Sequence, residues 1–323
     1  MRLLGGAMLF VASWGASASP VAAQALPTRG AVPDGYDVVD FGTWRWASPG
    51  GRIPPEPEFG DFFVRTVDRV RKALNAQQPR IPLVVVTASR SAFVETIRRY
   101  GADAPSDATL AVAFPLRDIM ILDGERLRFG WLLEYPETVA HEVVHLVLGE
   151  GGAGVPRWYH EGLAQWLSGR RLDTRATNAL AHLATRRELP PLSDLSRFMT
   201  SSHHMESVLY QQSLSVVEAI ERLHGPQVHA QILAGLRAGL DFGAAYQAAT
   251  GGSLATDEEE WLRHLAAQFS WLTLWVLEIT LFRVLAVGVL VAFGVEAWRR
   301  RRRLRRMAES ERDEEAGESG ELP

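Results

Sequence analysis

His141-Glu142-Val143-Val144-His145 places two imidazoles four residues apart with a carboxylate beside the first. On an α-helix, side chains four apart share one face, so both rings can reach a single ion. Zinc takes imidazole nitrogen readily, and a catalytic zinc needs three protein ligands and one position open to water. Glu142, about 100° round the helix from His141, can reach that water without being a ligand, as a general base must. The pattern is that of a zinc hydrolase. The plain alternative is a core helix with two incidental histidines. Against it stands the cost of burying a His-Glu-His cluster with no metal to satisfy it.

The flanks predict the helix that carries this motif. Val139, Ala140, Val143, Val144, Leu146, Val147 and Leu148 are apolar, Pro136 suits a first turn, and Gly149 is a stop signal. A glycine-rich connector over 149–154 follows, lacking the Lys-Ser/Thr of a nucleotide loop. Pro156 then opens a second helix from about Arg157 to Ser168. Folded back antiparallel, this helix offers His160 or Glu161 as the third ligand, on faces about 100° apart. Glu150 would have to bend back sharply from the first helix end. The extended metzincin motif needs glycine at 148 and histidine at 151; Leu148 and Gly151 exclude it.

Pro156-Arg157-Trp158-Tyr159-His160-Glu161-Gly162-Leu163-Ala164 resembles the P-x-W-x-x-E-G-x-A signature of the peptidase MA-like domain, a gluzincin family. The resemblance implies His-His-Glu coordination of Zn2+ by His141, His145 and Glu161. It extends to Tyr210 and Ser213, to Gly225 after His224, and to Trp261, covering roughly residues 80–265. Gln165 stands where gluzincins such as thermolysin carry an aspartate, and its amide is expected to orient a ligand histidine. Tyr210 is the first candidate to stabilise an oxyanion, ahead of His203 and His204; the plain reading of Tyr210 is a packed helical aromatic. Trp158 and Trp166 read as core anchors.

Around the motif the chain predicts an α+β, zincin-like domain. A small sheet lies beside the H-E-x-x-H helix, a mostly helical C-terminal lobe follows, then one transmembrane helix. Strands are expected over 41–46, 81–87, 110–114 and 118–122, and helices over 62–74, 91–100, 178–187, 205–223, 227–236 and 258–269. An edge strand in such a fold can take an extended peptide by strand addition, here by analogy only.

The chain ends address the location. Met1-Arg2 and the apolar Leu3–Val11 run, with an Ala23-Gln24-Ala25 site, read as a signal peptide over 1–25. Residues 26–79 form an N-terminal segment with one helix, and 80–268 the zinc domain. Residues 271–298 are a long apolar segment with only Glu278, Arg283 and Glu296 as charges, and Arg299–Arg303 follow. This combination predicts a single span with its basic end in the cytoplasm. The tail, 299–323, turns from basic to acidic. The expectation is a bacterial cell-membrane protein with its catalytic domain periplasmic or extracellular, acting on a peptide or protein substrate.

Bulk properties agree. Of 323 residues about 245 remain between the two ends, enough for one sizeable domain. A net charge of −4 makes no electrostatic case for nucleic acid. The chain has no cysteine, so metal must be held by nitrogen and oxygen. Lys72 is the only lysine against 33 arginines, a codon bias of GC-rich bacteria. A non-catalytic zinc-containing docking module is the rival reading, and Glu142 is the residue it leaves without a purpose.

Overall fold

The computed structural model describes residues 31–77, 81–105, 107, 109–126, 136–149, 154–201, 206–269 and 285–303. Met1–Gln268 and Phe269–Pro323 form separate compact units. The first is α+β, as the sequence predicts.

Its sheet is built from β1 (Tyr36–Asp40), β2 (Arg45–Pro49), β3 (Leu83–Thr87), β4 (Ala111–Phe114) and β5 (Ile119–Asp123), in the order β1-β2-β3-β5-β4. β2, β3 and β5 run parallel, and the outer strands β1 and β4 are antiparallel to their neighbours. Two of the three inner strands, β3 (Leu-Val-Val-Val-Thr) and β5 (Ile-Met-Ile-Leu-Asp), are buried at every position. That continuous burial requires cover on both faces. Leu83, Val85, Ile119 and Ile121 join Phe93, Ile97 and Tyr100 of the α2 region (α2, Arg90–Arg99) in one apolar cluster. By the two-residue period, Val84, Val86, Met120 and Leu122 face the opposite side, where α3 (Pro136–Leu148) packs against β4 and β5.

The strands expected at 81–87, 110–114 and 118–122 form nearly as drawn. The strand expected over 41–46 does not: Gly42 turns the chain with a φ of +81°, and separate strands lie before and after it. Helix α1 (Pro57–Leu74) starts five residues earlier than its expected 62–74, because Pro57 takes a first-turn position where no N–H is needed. This early turn adds Phe59 to Phe63, Val70 and Leu74 on the buried face, against Trp44 and Trp46. α1 in turn packs on α3.

The helical lobe comprises α4 (Arg157–Ser168), α5 (Thr174–Arg186), α6 (Leu192–Ser201), α7 (Glu206–His224), α8 (Val228–Arg237), α9 (Phe242–Thr250) and α10 (Leu254–Ala267). α6 and α9 are absent from the sequence-based expectation, since each is short and rich in small or polar residues. α5 and α10 both start four residues before their expected starts at 178 and 258. Asp173 and Ser253 cap them by accepting the N–H of Ala176 and Thr256, and these caps are readable signals. Trp158 is a buried core residue, but Trp166 is only half-buried; its indole N–H donates to Glu221 at 2.7 Å and Arg171 stacks over it.

α4 and α8 are tied by a buried contact of 2.7 Å between the Tyr159 hydroxyl and His229 Nδ1. His229 Nε2 lies 3.7 Å from Glu221 Oε2. Burial pulls His229 down to about 4, so it stays neutral in the fold. In the unfolded chain its ordinary pKa is about 6.5, so that state binds more protons between these values, and stability must rise with pH there. The His229 contribution is therefore present above pH 6.5 and is lost as pH falls towards 4, by up to roughly 3 kcal/mol. Urea midpoints of wild type and His229→Gln at pH 7, 5.5 and 4 check this. The variant, neutral throughout, should fall less steeply; parallel slopes would contradict it.

The expected signal peptide (1–25), Glu150, His203, His204, and residues 304–323 of the tail lie outside the described residues. So does the first half of the expected span over 271–298, of which 285–298 is described, as part of a helix over 285–303. Among the described residues no helix is long and apolar enough to cross a membrane. In that helix Leu285, Val287, Val289, Leu290, Val291 and Phe293 are exposed.

Candidate metal centre

α3 is buried on every face from Thr138 to Leu148. Such a helix belongs inside a protein, between other elements. Here the sheet, α1 and α4 surround it. Its three buried ionisable side chains, His141, Glu142 and His145, are thereby taken out of water.

α4 returns along α3 after Gly154, which turns the chain with a φ of +90°. It brings Glu161 Oε2 to 3.4 Å from His141 Nε2 and 3.9 Å from His145 Nε2. One candidate ligand atom from each residue lies within 4.8 Å of the others, and all three residues are buried. His160, the rival for the third position, is outside this set: its ring stacks on that of His145 at 4.5 Å and 7°. Successive positions on α4 thus have different partners, as the 100° step requires.

The donor set fits a metal ion. Both nitrogens of His141 and His145 and both carboxylate oxygens of Glu161 are buried with no hydrogen-bond partner among the described residues. Leaving such groups unsatisfied costs about 1–3 kcal/mol each, more for a charge. An ion between His141, His145 and Glu161 answers one atom from each at once. Burial also pulls His145 well below the ordinary histidine range, helped by His160, His141 and Arg157, which keeps its ring in the neutral form that coordinates. Burial pulls His160 down to about 4.

Glu142 is held differently. Its Oε2 accepts the backbone N–H of Ala113 on β4 at 2.7 Å, while Oε1 has no partner among the described residues. Burial pushes this carboxyl well above the usual range, and the nearby Glu161 adds to the effect. The Ala113 N–H opposes it. One oxygen is therefore fixed to the outer strand and the other is not.

The profile of the peptidase MA superfamily matches residues 104–267, which spans β4 through α10. The chain belongs to the peptidase MA superfamily. No curated protein matches it. Membership accounts for a metallopeptidase-like fold, and His141, His145 and Glu161 are a buried group that could hold a metal ion.

Within this peptidase MA domain, α7 supports α4 from behind. Gly162 lies against it so closely that an added Cβ would stand 2.4 Å from the Ser213 carbonyl oxygen and 2.7 Å from Val217 Cγ2. Ser213 turns its own hydroxyl back to the Leu209 carbonyl at 2.8 Å. Gln165 does not orient a ligand histidine through its amide N–H. Nε2 donates to the carbonyls of Tyr210, at 2.9 Å, and Glu161, at 3.3 Å, and so fastens α4 to α7. Tyr210 is buried on α7, and its backbone carbonyl takes the Gln165 bond.

Four features were not anticipated from sequence: the Ala113 anchor of Glu142, the ring stack of His160, the Gln165 bond to the Tyr210 carbonyl, and the Gly162–Ser213 contact. Only the last leaves a local signal, a glycine in a helix interior, where it costs about 1 kcal/mol unless close packing needs it.

Proposed function

We propose that this chain is a membrane-anchored zinc metallopeptidase in which His141, His145 and Glu161 hold the ion and Glu142 is the general base. The observation that carries the reading is the buried, unsatisfied His-His-Glu group with a second acidic side chain, Glu142, beside it and outside the ligand set. Nitrogen and oxygen donors from two histidines and one carboxylate suit zinc, which when bound acidifies water and polarises a carbonyl. Glu142 Oε1 takes a proton from the attacking water and passes it to the leaving amine. β4, the outer strand that carries Ala113, offers its edge to an extended peptide, which would then run beside Glu142. Tyr210 is the donor we assign to the developing oxyanion.

The anchor is the 271–298 segment. Supporting it are the exposed apolar side chains from Leu285 to Val295 and the arginines at 299–303, with Arg302 over the Trp298 ring at 4.2 Å. That basic end belongs on the cytoplasmic side, with the zinc domain periplasmic or extracellular.

Full-length protein recovered from membranes in detergent should contain zinc near one per chain and cleave peptides from a mixed library. Chelation should stop cleavage and zinc restore it. Glu161→Ala should weaken zinc binding by more than the roughly 10–100-fold that loss of a group behind a ligand costs. Zinc without cleavage would favour the docking module, and unchanged zinc affinity in Glu161→Ala would refute the ligand set. Deleting 269–323 should move the activity to the soluble fraction.

A further inference from the structure

An imidazole turns freely about its terminal torsion, which has a broad energy profile. A metal-binding histidine is therefore usually held by a hydrogen bond on the nitrogen that does not face the ion. His145 lacks that device: its Nδ1 has no hydrogen-bond partner among the described residues. Instead the ring is wedged. The His160 ring lies flat on it at 4.5 Å and 7°, and the His141 ring meets it edge-on at 4.6 Å and 81°. All three side chains are buried.

We propose that His160 is a positioning residue that orients the His145 imidazole by stacking, aiming its Nε2 at the ion beside Glu161. The proposal rests on the metal reading above. The geometry leaves His145 little freedom: rotation about its terminal torsion would drive its edge into the His160 face. His160 also precedes Glu161 on α4, so one helix supplies both the third ligand and the surface that orients the second. Any shift of α4 then moves both together. This makes the pair His160-Glu161 one unit.

Two variants of the full-length protein separate stacking from the other roles of a histidine. His160→Ala removes the flat surface; His160→Phe keeps it and removes both ring nitrogens. In metal-free protein with labelled histidine, the His145 ring protons should move downfield in His160→Ala, as ring-current shielding is lost, and stay shielded in His160→Phe. Zinc affinity, by competition with a chromophoric chelator, should fall about 10–100-fold in His160→Ala and stay within about threefold of wild type in His160→Phe. The cobalt(II) absorption spectrum should change only in His160→Ala. Equal loss in both variants would overturn the proposal, since a ring nitrogen would then be what matters. Unchanged affinity in both would overturn it too. Wild-type protein that binds no zinc would overturn the metal reading, and the ring-proton shifts would still decide whether His160 orients His145.

Discussion

Glu142→Gln is expected to slow peptide hydrolysis by about 10²–10⁴-fold while zinc stays bound. The substitution is conservative in the fold. A glutamine of the same length keeps an oxygen for the Ala113 N–H, now 2.7 Å from Glu142 Oε2. It also removes a buried carboxyl that repels Glu161, so metal-free protein should unfold no earlier than wild type. What disappears is the basic oxygen at Oε1, and an amide cannot take its proton. Turnover of a fluorogenic peptide, zinc content and thermal unfolding, measured together, check the three parts. If hydrolysis persists within about tenfold of wild type, another group removes the proton and the assignment of Glu142 is wrong.

This test also separates the enzyme from a docking module. A scaffold needs the three groups that close on the metal, because they offset one another's burial. It has no use for a fourth ionisable group buried among them. Glu142 raises the cost of the metal-free fold: burial and Glu161 both disfavour its charge, and only one N–H compensates. A side chain that burdens stability in this way favours the proposed catalytic reading over the docking module.

Legibility in the sequence followed from how local each determinant is. The i, i+4 spacing of His141 and His145 and the apolar residues around them are contained in one helix, so both the helix and its motif could be read directly. Glu161 was harder, because the fold-back over 149–154 leaves adjacent residues as rivals. The family signature pointed to Glu161, and the distances of 3.4 and 3.9 Å agree. Inner strands β3 and β5 were visible as apolar runs of β-branched residues. β1, with four exposed positions of five, carries no such run and was missed. Contacts between elements left the least trace. The Ala113 N–H is a backbone group without a sequence signature, and Gln165 gave no hint that its amide would reach the Tyr210 carbonyl. Tertiary packing decides both, and periodicity is blind to it.

Gly162→Ala is the second large effect, and it should damage both stability and metal binding. An alanine Cβ at this position would lie 2.4 Å from the Ser213 oxygen, 2.8 Å from its carbonyl carbon and 2.7 Å from Val217 Cγ2. Two of these three atoms are backbone inside α7, which cannot rotate away, so α4 and α7 must separate. Overpacking of this kind costs about 1–3 kcal/mol and more where backbone resists, so a loss of about 3 kcal/mol or more is expected. Separation also stretches the Gln165 bond to Tyr210 and draws Glu161 off His141 and His145, so zinc affinity should fall with stability. Gly243→Ala on α9 is the control. Its Cβ meets only Asp241 Oδ1, at 3.4 Å, and a helical alanine there should stabilise by up to about 1 kcal/mol. Opposite signs for the two substitutions in urea unfolding are the expected result. Adding Val217→Ala to Gly162→Ala removes the one side-chain clash and should recover little. Full recovery would mean that the helices are held apart by side chains, and that the backbone contact is not what sets Glu161 in place.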